Sequence, residues 1–265
     1  MTLPANLAAI LSKAAIDAGR EILAIYRAGP TVSMKSDCTP VTEADQRAEA
    51  IILAQLSEAF PDIPVVAEEA VSAGNIPEVG GRRFFLVDPL DGTREFINRR
   101  DEFTVNIALI EAGVPVAGIV YAPALKVAYW GAEGLAEKFE VADDFTIVNR
   151  RPIGCRSRGT SLTAVVSRTH GDPETDAFLL KTGICDHTTV GSSLKFCLLA
   201  EGLADVYPRF GRTMEWDTAA GDAVLRAAGG QVTRPDGSPF LYGKTNQQTD
   251  SDFANPAFIG WGRAA

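Results

Sequence analysis

The feature that most constrains this chain is a short apolar run that ends in two carboxylates. Residues 84–87 are all aromatic or branched, which is typical of a buried strand, and Asp88 and Asp91 follow it three residues apart. Pro89 and Gly92 turn the chain around them. A strand end followed by a tight turn can aim both carboxylates and one backbone carbonyl at a single point, and magnesium prefers oxygen ligands of this kind. The alternative is a plain surface turn after a core strand.

Composition narrows the kind of protein further. The 265 residues are enough for a sizeable core, and 46% hydrophobic with 22% charged residues is ordinary for a globular protein. The net charge of −9, without a basic stripe, argues against a nucleic-acid polymer as partner. We expect a cytoplasmic protein, because neither a secretory signal nor a membrane-length apolar run is visible. The scattered cysteines form no Cys-x-x-Cys pair, which argues against zinc or a disulfide framework.

Periodicity predicts an α+β half followed by an α/β half. Helices are predicted over 6–28, 43–59, 173–181, 193–201 and 216–228. Strands are predicted over 64–69, 84–87, 103–110, 116–121, 127–130, 162–167, 188–190 and 205–207. Short turns between the early strands favour a mainly antiparallel sheet, whereas the later alternation favours an α/β arrangement. The stretch 131–160 is polar and is predicted to be irregular, so we divide the chain into 1–135 and 136–265.

Acidic residues recur at the ends of these predicted elements. Asp45 lies in the first turn of a helix, with Thr42 as N-cap, in the position of a capping-box acid. Glu68 ends a predicted strand, and Asp217 opens a helix. Strand ends and helix starts are where α/β folds place functional groups. Each acid alone is more often a cap or a surface charge, but their recurrence beside apolar segments favours a shared site.

Other chemistries fit these residues poorly. Aspartyl-phosphate phosphatases need Asp-x-Asp after a strand, and here Leu90 occupies the second acidic position. The Gly-rich dinucleotide loop and the serine nucleophile elbow are both missing from the sequence. His170 and His187 are the only histidines, a poor supply for a histidine triad or a zinc site. Of the chemistries considered, metal-assisted hydrolysis is the one that these residues still fit.

These acidic segments resemble the inositol monophosphatase superfamily, which comprises lithium-sensitive, magnesium-dependent phosphatases. Residues 88–93 match its signature D-P-[IL]-D-G-T, and residues 216–221 resemble its second signature, W-D-x-A-[AG]-[AG]. Residues 67–69 are similar to its G-E-E strand, with Ala in place of Gly, and residues 40–45 to its P-V-T-x-x-D segment. Four motifs in the right order across most of the chain make the resemblance specific.

Further segments resemble the 3'(2'),5'-bisphosphate nucleotidase branch of that superfamily. They are 35–42, 93–97, 102–108, 191–197 and 205–209. Arg209 stands where inositol phosphatases carry a sugar-binding Glu. A carboxylate suits inositol hydroxyls, whereas a guanidinium suits a second phosphate or the face of a base.

The resemblance implies a layered αβαβα sandwich with the site between its halves. The implied reaction, related to sulfur assimilation, is hydrolysis of the 3'-phosphate of adenosine 3',5'-bisphosphate to AMP and phosphate. An inositol or sugar phosphatase of the same fold is the nearest alternative, and a binding protein that senses a ligand without catalysis is another. The resemblance does not decide whether the protein forms a homodimer or attaches to the inner face of a membrane.

The resemblance also implies individual roles. Two or three magnesium ions would bind the side chains of Glu68, Asp88, Asp91 and Asp217 and the carbonyl of Leu90. The catalytic group would comprise Asp45, Thr93 and Glu68, with Asp45 and Thr93 orienting and activating the attacking water. The substrate would contact Gly92, Thr93, His170, Ser192, Lys195 and Arg209. A solvated surface lysine and a structural histidine are the plain alternatives for Lys195 and His170, and Asp37 and Glu69 receive no role.

Overall fold

Two large β-sheets, with helices outside and between them, make up most of the protein, and the described residues also form two small two-stranded sheets. The structure is a computed structural model that describes residues 3–34, 40–80, 83–168 and 172–263. Its helices are α1 Leu7–Ala28, α2 Glu43–Ala59, α3 Glu68–Ser72, α4 Thr93–Ile97, α5 Pro173–Thr182, α6 Leu194–Ala200 and α7 Glu215–Ala227. The first nine strands are β1 Val32–Met34, β2 Pro40–Thr42, β3 Val65–Ala67, β4 Phe84–Asp91, β5 Thr104–Glu111, β6 Val114–Ala122, β7 Val127–Ala132, β8 Leu135–Val141 and β9 Ile147–Ile153. The others are β10 Thr163–Val166, β11 Asp186–Thr189, β12 Val206–Arg209, β13 Thr213–Met214, β14 Gln231–Thr233, β15 Ala254–Asn255 and β16 Phe258–Trp261.

The first sheet has the strand order β3-β4-β5-β6-β7-β8-β9. All neighbours from β4 onward are antiparallel, as predicted, and β3 alone pairs in parallel. The prediction that 131–160 is irregular is wrong, because β8 and β9 extend the sheet there. The edge strand β9 is exposed along nearly its whole length, so its sequence lacks the apolar alternation that signals a strand. The division at 135/136 therefore does not coincide with the boundary between the sheets.

The second sheet has the order β11-β10-β12-β16-β14. Strand β10 runs parallel to β11 and β12, whereas β16 runs antiparallel to β12 and β14. Phe178 and Leu179 of α5 pack against Ala164 and Val206 on the outer face of this sheet. The α/β character predicted for the later half is confirmed.

Alternate side chains of β4 point into different cores, and this shows how the layers are arranged. Phe85 and Val87 belong to the core under α1 and α2, whereas Phe84 and Leu86 belong to the core shared with α6, α7 and the second sheet. A strand buried on both faces explains the uninterrupted apolar run in this part of the sequence. The order of layers is helix, sheet, helix, sheet, helix, so the predicted αβαβα sandwich is confirmed.

Helix α7 lies close against the first sheet because glycines face it. A Cβ placed on Gly131 would lie 2.5 Å from the Cα of Val224, and one on Gly118 would lie 2.8 Å from the carbonyl oxygen of Ala220. Any side chain at these positions would push the helix away. The two glycines thereby set the position of the helix that carries Asp217.

Most other predicted elements are confirmed within a few residues. The clearest are α1 and α2, and Thr42 caps α2 in a capping box with Asp45. One detail is wrong: the predicted strand 64–69 ends at Ala67, and Glu68 begins the short helix α3. Within the described ranges, no helix is both long and apolar enough to cross a bilayer.

An ion pair within α7, between a fully buried Asp222 and a partly buried Arg226, provides a test of this packing. Asp222 is fully buried and accepts hydrogen bonds from Arg226 Nε at 2.7 Å, Arg226 Nη2 at 3.1 Å and Tyr242 Oη at 3.1 Å. Asp222→Ala leaves the buried Tyr242 hydroxyl and the partly buried Arg226 without their acceptor, so we expect it to lower the free energy of unfolding by about 1–3 kcal/mol. Urea unfolding measures the change.

The matched control is Asp143→Ala. Asp143 pairs with Lys126 at 2.5 Å but is 85% exposed, so we expect its loss to leave the free energy of unfolding nearly unchanged. Equal losses of stability in the two variants would contradict this account of α7.

Candidate active site

A cleft of about 620 Å³ opens where the two sheets meet. Its wall includes most of the residues predicted to act together: Glu68, Asp88, Leu90, Asp91, Gly92, Thr93, Ser192, Lys195, Arg209 and Asp217. Asp45 is buried behind this wall, where its carboxylate contacts Thr93. His170 lies outside the described residues, as do Lys35 and Asp37. The fold thus gathers the four acidic candidate ligands, which lie up to 149 positions apart in the sequence, from Glu68 to Asp217.

The turn at the end of β4 orients its two carboxylates differently. Asp88 is 2% exposed, and its Oδ1 accepts a hydrogen bond from the backbone N–H of Leu90 at 3.0 Å. The pairing of β4 with β5 shifts register between Asp88 and Asp91. Gly92 then adopts φ +92°, a left-handed conformation that other residues rarely adopt, and α4 begins at Thr93. The sharp turn brings the backbone of the next residues to the cleft wall.

Asp91 is held by the loop that precedes α6. Its Oδ2 accepts hydrogen bonds from Ser192 Oγ at 2.5 Å and from the Ser193 backbone N–H at 2.7 Å. Ser193 Oγ lies 2.5 Å from the carbonyl oxygen of Asp217 and accepts a hydrogen bond from Asn106 Nδ2 at 2.9 Å. Three separate elements, β4, β5 and α7, therefore meet at these two serines.

Asp217 is oriented from the start of α7. Its Oδ2 accepts a hydrogen bond from the Met214 N–H at 2.9 Å, and Asn255 Nδ2 donates to the carbonyl of Met214 at 2.7 Å. The fully buried Glu215 pairs with Lys244 Nζ at 2.6 Å. Local patterns gave no sign of a role for Asn255, Glu215 or Lys244, because only the folded chain brings residues 244 and 255 to the start of α7.

Burial and mutual repulsion dominate the electrostatics of the acids. Burial, followed by the charges of Glu68 and Asp91, raises the pKa of Asp88 well above its usual range. Burial and the charge of Asp91 do the same for the pKa of Asp217. Carboxylates crowded in this way are stabilised in their charged form by a cation.

The donor set fits magnesium, since every candidate ligand is an oxygen. In the side-chain positions seen here, however, no three acidic, histidine or cysteine side chains of the described ranges stand close enough to hold an ion. Ser192 and Ser193 hold Asp91 through Oδ2, and Met214 holds Asp217 through Oδ2, so each carboxylate is oriented by hydrogen bonds to one of its two oxygens.

Asp45 and Thr93 form a polar pair beside the acids. Thr93 Oγ1 lies 3.2 Å from Asp45 Oδ1 and 3.3 Å from the carbonyl oxygen of Leu90. The backbone N–H and Oγ1 of Thr42 donate to Asp45 Oδ2 at 2.8 and 2.7 Å. Burial raises the pKa of Asp45 to about 6, although the bonds from Thr42 oppose the rise. The capping-box acid therefore has a second contact that faces the cleft.

The opposite side of the cleft is cationic. Lys195 is only 6% exposed, which does not fit a solvated surface lysine, and its Nζ donates to the carbonyl of Ser192 at 2.8 Å. Burial lowers the pKa of Lys195 to about 8. Arg209 Nη2 donates to the Arg212 carbonyl at 3.3 Å, whereas Arg209 Nε is buried without a hydrogen-bond partner in the described part of the chain. Such an orphaned donor fits an anionic ligand.

Comparison with known proteins defines the class to which this fold and cleft belong. Residues 4–257 match the Inositol monophosphatase family. The chain belongs to the inositol monophosphatase family.

Individual relatives carry a more specific description. The chain is 47% identical over 245 residues to the 3'(2'),5'-bisphosphate nucleotidase CysQ of Salmonella typhimurium, covering 91% of this chain and 94% of that protein. It is 44% identical over 244 residues to the protein of the same description in Escherichia coli K12, with the same coverage. The crystal structure of CysQ from Bacteroides thetaiotaomicron, described as a bacterial member of the family, superposes with a TM-score of 0.78 at 38% identity and 97% coverage of both chains.

Proposed function

We propose that this protein is a magnesium-dependent phosphatase that hydrolyses the 3'-phosphate of adenosine 3',5'-bisphosphate to AMP and phosphate. The observation that carries the proposal is the division of one cleft into an acidic side and a cationic side. A substrate with two phosphates needs both, one phosphate at the metal and one at fixed cations. Similarity to curated 3'(2'),5'-bisphosphate nucleotidases over 91% of the chain supports this choice of substrate.

The acidic side would hold the metal. Its ligands would be Glu68, Asp88, Asp91, Asp217 and the carbonyl of Leu90. The serine hydrogen bonds to Asp91 all end on Oδ2, so Oδ1 is the oxygen that we expect at an ion. When bound, magnesium would acidify a water molecule and offset charge on the scissile phosphate. We propose two or three ions, as the family resemblance implies.

Asp45 and Thr93 would handle the proton of the attacking water. Thr93 Oγ1 can pass a proton to Asp45 Oδ1 across their 3.2 Å contact. A pKa of about 6 keeps Asp45 ionised near neutral pH while leaving it basic enough to accept a proton. Glu68 lies on the same cleft wall, where it would help to orient the water.

The chain's own backbone and cations would orient the substrate. The amides of Gly92 and Thr93, at the left-handed turn before α4, would cradle the scissile phosphate. Lys195 and Arg209 would bind the 5'-phosphate, together with Ser192 at the junction of the two sides. In this arrangement residues 1–135 supply most metal ligands, and residues 136–265 supply Asp217 and the cations. We place the enzyme in the cytoplasm and relate it to sulfur assimilation.

An inositol phosphatase is the competing function within the family. Arg209 argues against it, because a guanidinium whose buried Nε has no hydrogen-bond partner among the described residues suits a phosphate better than a sugar hydroxyl. The deciding assay measures phosphate release from adenosine 3',5'-bisphosphate and from inositol monophosphate, with magnesium and with excess chelator. Higher kcat/KM on the bisphosphate, lost in chelator, is the expected result, and preference for inositol monophosphate would contradict the proposal.

The metal assignment makes a prediction about Asp88. Asp88→Asn should lower kcat by several orders of magnitude, because it removes a buried charge that the metal needs. Steady-state phosphate release at saturating magnesium measures the loss. The exposed Asp143→Asn serves as control and should retain the wild-type rate. Full activity of the wild type in chelator would refute the assignment.

The proposed base makes a prediction about pH. Asp45 accepts a proton only when ionised, so kcat/KM should be level at neutral pH and fall as the pH drops below about 6. Asp45→Asn should lower the rate about 10²–10⁴-fold and abolish that acid limb. The pH–rate profiles of both proteins test this. An unchanged acid limb in the variant would assign the ionisation to another group.

The proposed substrate contacts make a prediction about Arg209. Loss of one charge-assisted contact typically costs about 1.5–3 kcal/mol, or roughly ten- to a hundredfold in affinity. Arg209→Ala should therefore raise KM for adenosine 3',5'-bisphosphate far more than it changes kcat. A substrate with one phosphate and no base should be nearly unaffected. Equal losses on both substrates would mean that Arg209 supports the fold.

A further inference from the structure

Ser192 touches both sides of the cleft and has an unusual backbone. Its φ is +54°, in the left-handed region that residues with a side chain rarely adopt. In this conformation its Oγ donates to Asp91 Oδ2 at 2.5 Å, and its carbonyl accepts the 2.8 Å hydrogen bond from Lys195 Nζ. A residue in this region persists only when its surroundings hold it there. The neighbouring contacts show what does so.

Glu102, which lies just before β5 in the first sheet, reaches across to this loop. Its Oε2 accepts a hydrogen bond from the backbone N–H of Gly191 at 2.8 Å. A Cβ placed on Gly191 would lie 2.8 Å from the Glu102 carbonyl oxygen, so the two backbones are in direct contact. The residue immediately before Ser192 is thus fixed by both the side chain and the main chain of Glu102.

Arg168, which follows β10 in the second sheet, holds Glu102 in place. Its Nη1 lies 2.8 Å from Glu102 Oε2, and its Nη2 donates to Oε1 at 2.9 Å, which makes a two-point pair. Nη2 also lies 3.3 Å from the carbonyl oxygen of Thr189, at the end of β11. Glu102 and Arg168 therefore connect the first sheet, the second sheet and the loop that carries Ser192.

We propose that Glu102 is a positioning residue that keeps Ser192 in its left-handed conformation, and that Arg168 fixes the carboxylate of Glu102 for this purpose. The pair would thereby set the orientation of Asp91 on the acidic side and of Lys195 on the cationic side together. The inferred effect of the Glu102–Arg168 pair on the loop depends only on the contacts described above. Its inferred effect on metal binding and turnover rests on the proposed function.

Glu102→Ala tests the proposal by amide hydrogen exchange. We expect faster exchange in peptides that cover residues 190–195, because the Gly191 N–H loses its acceptor. Glu102→Gln keeps an acceptor oxygen and should restore part of the protection, while Arg168→Ala should give an intermediate result. Unchanged exchange over 190–195 in Glu102→Ala would overturn the proposal whatever the activity.

The chain offers a closely matched control in Glu137 and Arg150. This pair has an N–O distance of 2.7 Å and exposures of 18% and 38%, against 2.8 Å, 22% and 37% for Glu102 and Arg168, but it lies on β8 and β9. Glu137→Ala should leave exchange over 190–195 unchanged. Equal acceleration there in both variants would show a general loss of stability and overturn the specific role.

Magnesium titration by calorimetry, without substrate, separates the two hypotheses. Glu102→Ala should bind magnesium about tenfold more weakly than the wild type and lose kcat to a similar extent, whereas Glu137→Ala should match the wild type. Equal magnesium affinity in Glu102→Ala and wild type would overturn the link to the acidic side. A wild type that binds no magnesium and releases no phosphate would contradict the proposed function, and hydrogen exchange would still decide the role of Glu102.

Discussion

Asp91 accepts hydrogen bonds from Ser192 and Ser193, and the site depends on this contact between two parts of the chain. Asp91 ends a strand of the first sheet, whereas the serines lie between a strand of the second sheet and α6. Ser193 also contacts the backbone of Asp217, so one short loop relates acids from β4 and α7. A change in the relative position of the two sheets would therefore separate the acids from one another and from Lys195.

The charges in the cleft explain why this contact needs support. Burial raises the pKa values of Asp88 and Asp217, which means that folding places these carboxylates where their charged forms are unfavourable. Protons or cations can offset that cost. The close packing of α7 at Gly118 and Gly131, together with the pair between buried Glu215 and Lys244, keeps the acids in place despite their repulsion. The packing of this region thus offsets the unfavourable burial of carboxylates in a site that suits a cation.

Local patterns in the sequence predicted the parts of this structure that depend on neighbouring residues. The strand and turn at 84–93, the helices α1 and α2 and the capping box of Asp45 are of this kind. Strand β9 could not be found in this way, because an exposed edge strand needs no apolar alternation. The helical start at Glu68 was also missed, since a five-residue helix carries almost no periodic signal.

Local patterns could not predict the residues that support the site, for a different reason. Glu102 acts on Gly191 across 89 positions of sequence, and Asn255 acts on Met214 across 41. Neither residue type is unusual where it stands, so only the fold reveals its partner. The candidate ligands, in contrast, stand in short motifs whose spacing follows from one strand end or one helix start. For this reason the resemblance identified the cleft residues but not the contacts that hold them.

The most direct test of the account is a crystal structure with adenosine 3',5'-bisphosphate and calcium in place of magnesium. We expect metal ions on Glu68, Asp88, Asp91 and Asp217, the 3'-phosphate against the amides of Gly92 and Thr93, and the 5'-phosphate at Lys195 and Arg209. A nucleotide bound with its 5'-phosphate at the acidic side, or with no metal on these carboxylates, would contradict the account.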